Sequence, residues 1–338
     1  MAIASVGDAW PSTLAPKVDF RHFSSQKENV LALSPDMSPS EAGRAILAFH
    51  WNQLLESESP TREGDNPEAL HEMRVATRRL RAAMRDLRVP LGKAALVPFV
   101  EDIHWLAQLL GSIRDLDVFL QWLKAYGGQA PTAERPWVDR VIGDRQTERA
   151  QRRAELIEAL DSTRYKAFRE RFSEFVKEKP SGAPKSKGPQ GTLFELASTK
   201  VAKQDKRILK KAKGANLKHL KRLHRLRIEF KRLRYTSEFF SSLYPRGLKR
   251  LIKTSTHLQD ALGVVHDSDV QSRFLEHMRC AHLNDAAMSR TLDHMIRNLH
   301  EQEREHYREF NKEYRHFRSR KFQSQIKKRL RKAASRGR

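Results

Sequence analysis

LHEMRVATRRLR, from Leu70 to Arg81, returns as LHRLRIEFKRLR, from Leu223 to Arg234, with Lys231 standing for Arg78. A second pair follows at nearly the same offset: LLGSIRDLDV from Leu109 and ALGVVHDSDV from Ala261. Separations of 153 and 152 residues make an internal repeat, which sets the architecture before any single element does.

On a helix advancing about 100° per residue, His71, Arg74, Arg78, Arg81 and Arg85 fall within an arc of about 80°. They form one cationic stripe, about 21 Å long at about 1.5 Å per residue. Met73, Thr77, Leu80, Met84 and Leu87 cluster on the neighbouring face, so the helix can bury one side and offer the other. His224, Arg227, Lys231 and Arg234 repeat the stripe, and Leu226, Phe230, Leu233 and Phe240 repeat the apolar face. Few acids lie inside either motif. Arginine gives phosphate oxygens forked hydrogen bonds and lysine a compact charge, so a chain of closely spaced phosphates suits the pair of stripes.

Gly111 and Gly263 sit inside apolar helical patterns, where glycine costs about 1 kcal/mol against alanine, and each is expected to permit close packing or a bend. Arg114, Asp115 and Asp117 follow the first, and His266, Asp267 and Asp269 the second. Acids at i and i+2 of a helix do not face each other. Asp115 and Asp267 are therefore expected to orient basic side chains by ion pairing, and no metal or other cofactor is expected.

The composition agrees with a polyanion partner. The chain has 338 residues, 39% of them hydrophobic, with 65 Lys and Arg against 41 Asp and Glu and a net charge of +24. Such a surplus repels itself unless an anion is near. Eleven of the cations follow Glu313, the last acid, which leaves +13 for the rest. Cys280 is the only cysteine, which excludes internal disulfides and cysteine-rich zinc sites. No apolar run reaches the ~20 residues that span a bilayer and no signal peptide is evident, so a cytoplasmic protein is expected.

Apolar spacing predicts helices near Ser40 to Pro60, Pro67 to Val89, Ala95 to Tyr126 and Arg135 to Lys179, then Thr192 to Lys213, Leu217 to Leu243, Leu248 to His282 and Asn284 to Phe317. No strand pattern interrupts them. The expected fold is all-α, two four-helix bundles related by an internal pseudo-twofold. The boundaries are an irregular N-terminal arm over 1–39, halves over 40–180 and 192–317, a linker over 181–191 rich in Pro, Gly, Ser and Lys, and a basic tail over 318–338.

The paired HxxRxxxRRLR and HxLRxxxKRLR helices, the paired LGxxxDxD segments and the duplicated helical layout resemble the CHAD family, the conserved histidine α-helical domain. The resemblance covers about 40–317 and is to the stand-alone form, without a triphosphate-processing CYTH domain. It implies a basic channel that binds inorganic polyphosphate without chemistry of its own, in association with polyphosphate granules. The implied contacts are His71, Arg74, Arg78 and Arg81 with His224, Arg227, Lys231 and Arg234. Arg85 extends the first stripe, and Arg79, Arg114, Arg232, Lys249, Lys253 and His266 are secondary contacts.

Two other readings fit part of this pattern. A nucleic acid would satisfy the same charges, and the basic tail could hold one weakly, but base recognition usually adds stacking aromatics. Phe230, Phe239 and Phe240 are read as core instead. A metal-dependent phosphohydrolase would draw on His257, His266 and Asp267, yet His257 aligns with Trp105, so the repeat does not preserve that set.

Overall fold

Ser38 starts the first helix. Its side chain accepts from the Glu41 amide at 3.2 Å while the Glu41 carboxylate takes the Ser38 amide at 2.8 Å, a reciprocal cap that leads into α1 (Pro39–Glu63). The computed structural model describes residues 31–64, 66–178, 191–212, 219–244 and 247–334. Most of the N-terminal arm and the proposed linker lie outside the described residues.

Pro60 does not end α1, contrary to expectation. The helix runs one turn further to Gly64, at φ +85°, whose amide bonds the Pro60 carbonyl at 3.2 Å. Arg153 then donates to the carbonyls of Thr61 and Arg62 at 3.0 and 2.6 Å, satisfying groups that a helix end leaves open.

Nine further α-helices follow among the described residues: α2 (Pro67–Asp86), α3 (Lys93–Gly127), α4 (Arg135–Asp161), α5 (Thr163–Lys177), α6 (Leu193–Ala212), α7 (Leu220–Phe239), α8 (Lys249–Ala281), α9 (Ala286–Phe317) and α10 (Arg320–Ala334). No strand occurs among the described residues, and none of their helices is long and apolar enough to cross a membrane. The protein is all-helical and duplicated.

Among the described residues each half contains five α-helices rather than four. The single helix expected over Arg135 to Lys179 breaks at Ser162, which takes extended backbone (ψ 152°) and caps α5 through the Tyr165 amide at 3.2 Å. In the second half Ser319 does the same for α10 through the Phe322 amide, also at 3.2 Å. α5 packs on α1 and α4, and α10 on their counterparts α6 and α9. The expected basic tail is thus the fifth helix of the second repeat. Its apolar residues Phe322, Ile326 and Leu330 are spaced four apart and at most 5% exposed. Burying each is worth about 1.5–3 kcal/mol, enough to hold a strongly cationic helix against the protein.

The halves share their interior. One apolar core runs from Trp51 and Phe172 in the first repeat to Phe230 and Phe317 in the second. A smaller core joins the far ends of α3 and α4 to those of α8 and α9, around Trp122, Val138, Met288 and Met295. α2 meets α7, α1 meets α6, and α4 meets α9, as a pseudo-twofold between the repeats requires. That axis brings the two cationic helices together.

Candidate polyanion channel

α2 and α7 meet near their C-terminal turns, where three polar contacts fix them. Arg78 donates to the Tyr235 hydroxyl at 2.6 Å, Arg79 pairs with Glu238 at 3.3 Å, and the Thr236 hydroxyl donates to Asp86 at 2.5 Å. The apolar faces behave as the periodicity requires: Met73, Thr77, Leu80, Met84 and Leu87, like Leu226, Phe230, Leu233 and Phe240, are at most 4% exposed. Both stripes are thereby turned out of the core.

Lys231 lies within electrostatic range of Arg78, Arg227 and Arg74, and Arg74 within range of Arg78. The Lys231 ammonium is pushed well below its ordinary pKa, first by Arg78, then by burial, Arg227 and Arg74. Burial, with Arg78 next, brings Arg74 down to about 10. Asp115 pairs with Arg74 at 3.3 Å and Asp267 with Arg227 at 3.7 Å, at matching positions of the repeat. Asp267 keeps 41% of its side chain open to solvent. Even so, burial is the leading influence on it and raises its pKa, with Asp115 adding to the rise.

Three histidines border the cations, all with depressed pKa values. Burial, followed by Arg114, Arg78 and Arg74, takes His71 to about 3. Burial and Arg227 take His266 to about 4, and burial, Arg227 and Lys231 lower His224. The His224 and His266 rings lie 4.5 Å apart beside a cleft of about 280 Å³ walled by Leu223, Leu262 and Val265. The Nε atoms of Arg78 and Arg227 and Nδ1 of His224 are buried without a hydrogen-bond partner among the described residues. Buried donors of this kind usually find acceptors.

The remaining positions divide by what holds them. Arg81 is exposed and feels burial, Arg78 and Arg85. Arg234 is bound to Glu238 at 2.7 Å; burial works against its charge, but Glu238 and other partners outweigh it and the pKa rises. Arg85 forks onto Asp86 at 2.8 and 3.0 Å, and Arg232 pairs with Glu229 at 3.2 Å. Arg114 is buried among Asp117, Glu68, Asp115 and Arg78. Lys249 and Lys253 are exposed on the first turns of α8.

The two glycines do not admit a close neighbour. A Cβ at Gly111 would meet nothing within 4 Å, and one at Gly263 would meet only the Arg227 guanidinium, at 3.8 and 3.9 Å. Among the described residues no three His, Cys, Asp or Glu side chains group to hold a metal. Tyr235 and Glu238 were not singled out in the sequence. Tyr235 reads there as one more apolar residue and Glu238 as a solvated acid, and only the meeting of α2 and α7 gives them a role.

The model of the CHAD domain family matches residues 45–276. The chain belongs to the CHAD family. It is similar to the CHAD domain from the plant Ricinus communis, whose crystal structure is 26% identical, superposes with a TM-score of 0.63, and aligns over 89% of this chain and 94% of that one. PptA from Streptomyces chartreusis, 14% identical with a TM-score of 0.66 over 82% of this chain and all of its own, shares the fold. Uncharacterized proteins of two Mycobacterium tuberculosis strains are 27% identical over 241 residues, 70% of this chain and 45% of theirs. This CHAD chain therefore spans about half the length of those curated relatives.

Proposed function

We propose that this CHAD protein binds inorganic polyphosphate between the stripes of α2 and α7, as a binding module rather than an enzyme. The observation that carries the reading is the convergence of Arg74, Arg78, Arg227 and Lys231, whose mutual repulsion is relieved in part by the carboxylates of Asp115 and Asp267 through ion pairs or nearby charge. Arg78 is held by an uncharged phenol and Lys231 by no ion pair among the described residues. A linear polyanion supplies negative charge along the whole line at once.

Nucleic acid fits less well. Tyr235, which Arg78 contacts, is 3% exposed, and Phe230, Phe239 and Phe240 are core residues, so no base can stack on them. Weak nucleic-acid contact is assigned instead to the cations of α10, which include Arg320, Lys327 and Arg331. Competition between long-chain polyphosphate and DNA at equal phosphate concentration and about 200 mM salt separates the readings, and preference for DNA overturns ours. Attachment to polyphosphate granules in the cytoplasm follows from such binding. A fluorescent fusion that stays diffuse in granule-bearing cells would refute that part.

A further inference from the structure

The cationic line does not stop at the end of α2. Arg81 feels both Arg78 and Arg85. One step on, Lys200 of α6 is surrounded by Asp86, Lys203, Arg88 and Arg85. Asp86 is the hub of this junction, taking two hydrogen bonds from Arg85 and one from Thr236 of α7. α6 packs on α7 and α1, which sets it alongside the place where the first stripe ends.

From that junction α6 carries a stripe of its own. Lys200, Lys203, Arg207 and Lys210 follow the spacing i, i+3, i+7, i+10, the same as His71, Arg74, Arg78 and Arg81. They fall within an arc of about 80° and span about 15 Å along the helix. The apolar face of α6, with Phe194, Ala197, Val201 and Ile208, is buried away from them. Lys203, Arg207 and Lys210 are exposed, and no carboxylate among the described residues forms an ion pair with them. By contrast, Lys211 on the next position is held by Glu229.

We propose that α6 is a second binding segment, an outer track that takes a polyphosphate chain emerging past Arg85 and holds it along Lys200, Lys203, Arg207 and Lys210. This rests on the channel as the primary site and adds a chain-length dependence to it. A short oligophosphate would fill the channel alone, whereas a long chain would engage both segments and gain from their linkage.

The test uses the full chain with Lys203→Glu, Arg207→Glu and Lys210→Glu combined, and the milder Lys203→Gln, Arg207→Gln and Lys210→Gln set as a check on folding. Binding of tripolyphosphate and of long-chain polyphosphate is measured across a salt series. Long-chain affinity should fall about tenfold or more in the glutamate variant and less in the glutamine one. The slope of log K against log salt should become shallower by about 2, with tripolyphosphate affinity unchanged. Equal losses for both ligands, or no loss for either, overturn the outer track. Tripolyphosphate binding that survives Arg74→Glu with Arg227→Glu overturns the channel itself, whatever α6 does.

Discussion

Arg227 and Asp267 stand 3.7 Å apart, each placed by a separately repeated motif, and their counterparts Arg74 and Asp115 stand 3.3 Å apart. Beside surplus positive charge such a carboxylate offsets the repulsion between cations, and under the proposed function it would compete with an incoming phosphate. Asp267→Asn keeps the shape and removes the charge. Because burial holds the Asp267 pKa up, its charge is disfavoured in the fold, so the substitution should leave the stability of the ligand-free protein unchanged or slightly higher and tighten polyphosphate binding severalfold. Thermal unfolding with and without ligand measures both, and weaker binding would mean that orientation outweighs competition.

Arg74→Glu with Arg227→Glu should weaken polyphosphate binding by about a hundredfold or more, since charge-assisted hydrogen bonds are worth about 1.5–3 kcal/mol each. Circular dichroism should show the helices intact, because both side chains face away from the core. Undiminished affinity would place the site elsewhere.

The histidine positions suggest a pH effect centred near 6.5 when read from sequence alone. The structure moves it, because His71 and His266 titrate at about 3 and about 4 in the ligand-free protein and are neutral through the physiological range. A bound polyanion favours the protonated rings and raises those values, so the complex holds more protons than the free protein. Affinity should therefore be flat at high pH, rise as pH falls through the bound-state values, and level off below the free-state ones. Calorimetry at pH 6 in buffers of differing ionisation enthalpy should register proton uptake with long chains. No uptake would leave the histidines as neutral donors.

Truncation before Arg318 should unfold or strongly destabilise the protein instead of merely trimming its affinity. Phe322 packs 5.6 Å from Phe317, and Gln323 reaches Asp205 of α6 at 3.2 Å. Phe322→Ala alone should cost about 3–5 kcal/mol by chemical denaturation. A truncated chain of unchanged stability would contradict the docking of α10.

The repeat, the helical phase and the apolar faces were legible because each depends on local spacing: Met73 and Phe230 are buried where periodicity put them. The break at Ser162 was not, since apolar residues continue across it and only the tertiary need to fold α5 back onto Trp51 ends the helix. α10 was masked by its charge, although Ser319 followed by Phe322, Ile326 and Leu330 already carries a cap and an apolar stripe. The roles of Arg79 and Arg234 stayed hidden for another reason. Both meet Glu238, and nothing in the sequence says that α2 and α7 touch at that point.

Glu238 has a consequence for symmetry. It occupies the position that Arg85 holds in the first repeat, so Arg79 and Arg234 find a carboxylate on one side of the axis while Arg85 turns to its own neighbour, Asp86. Two identical chains meeting at a twofold must present arginine to arginine or glutamate to glutamate at such a place. Joined in one polypeptide, the two copies are free to differ. The covalent link thus gives the two ends of the α2–α7 contact unlike chemistry, and under the proposed function it would give a bound chain of phosphates a direction.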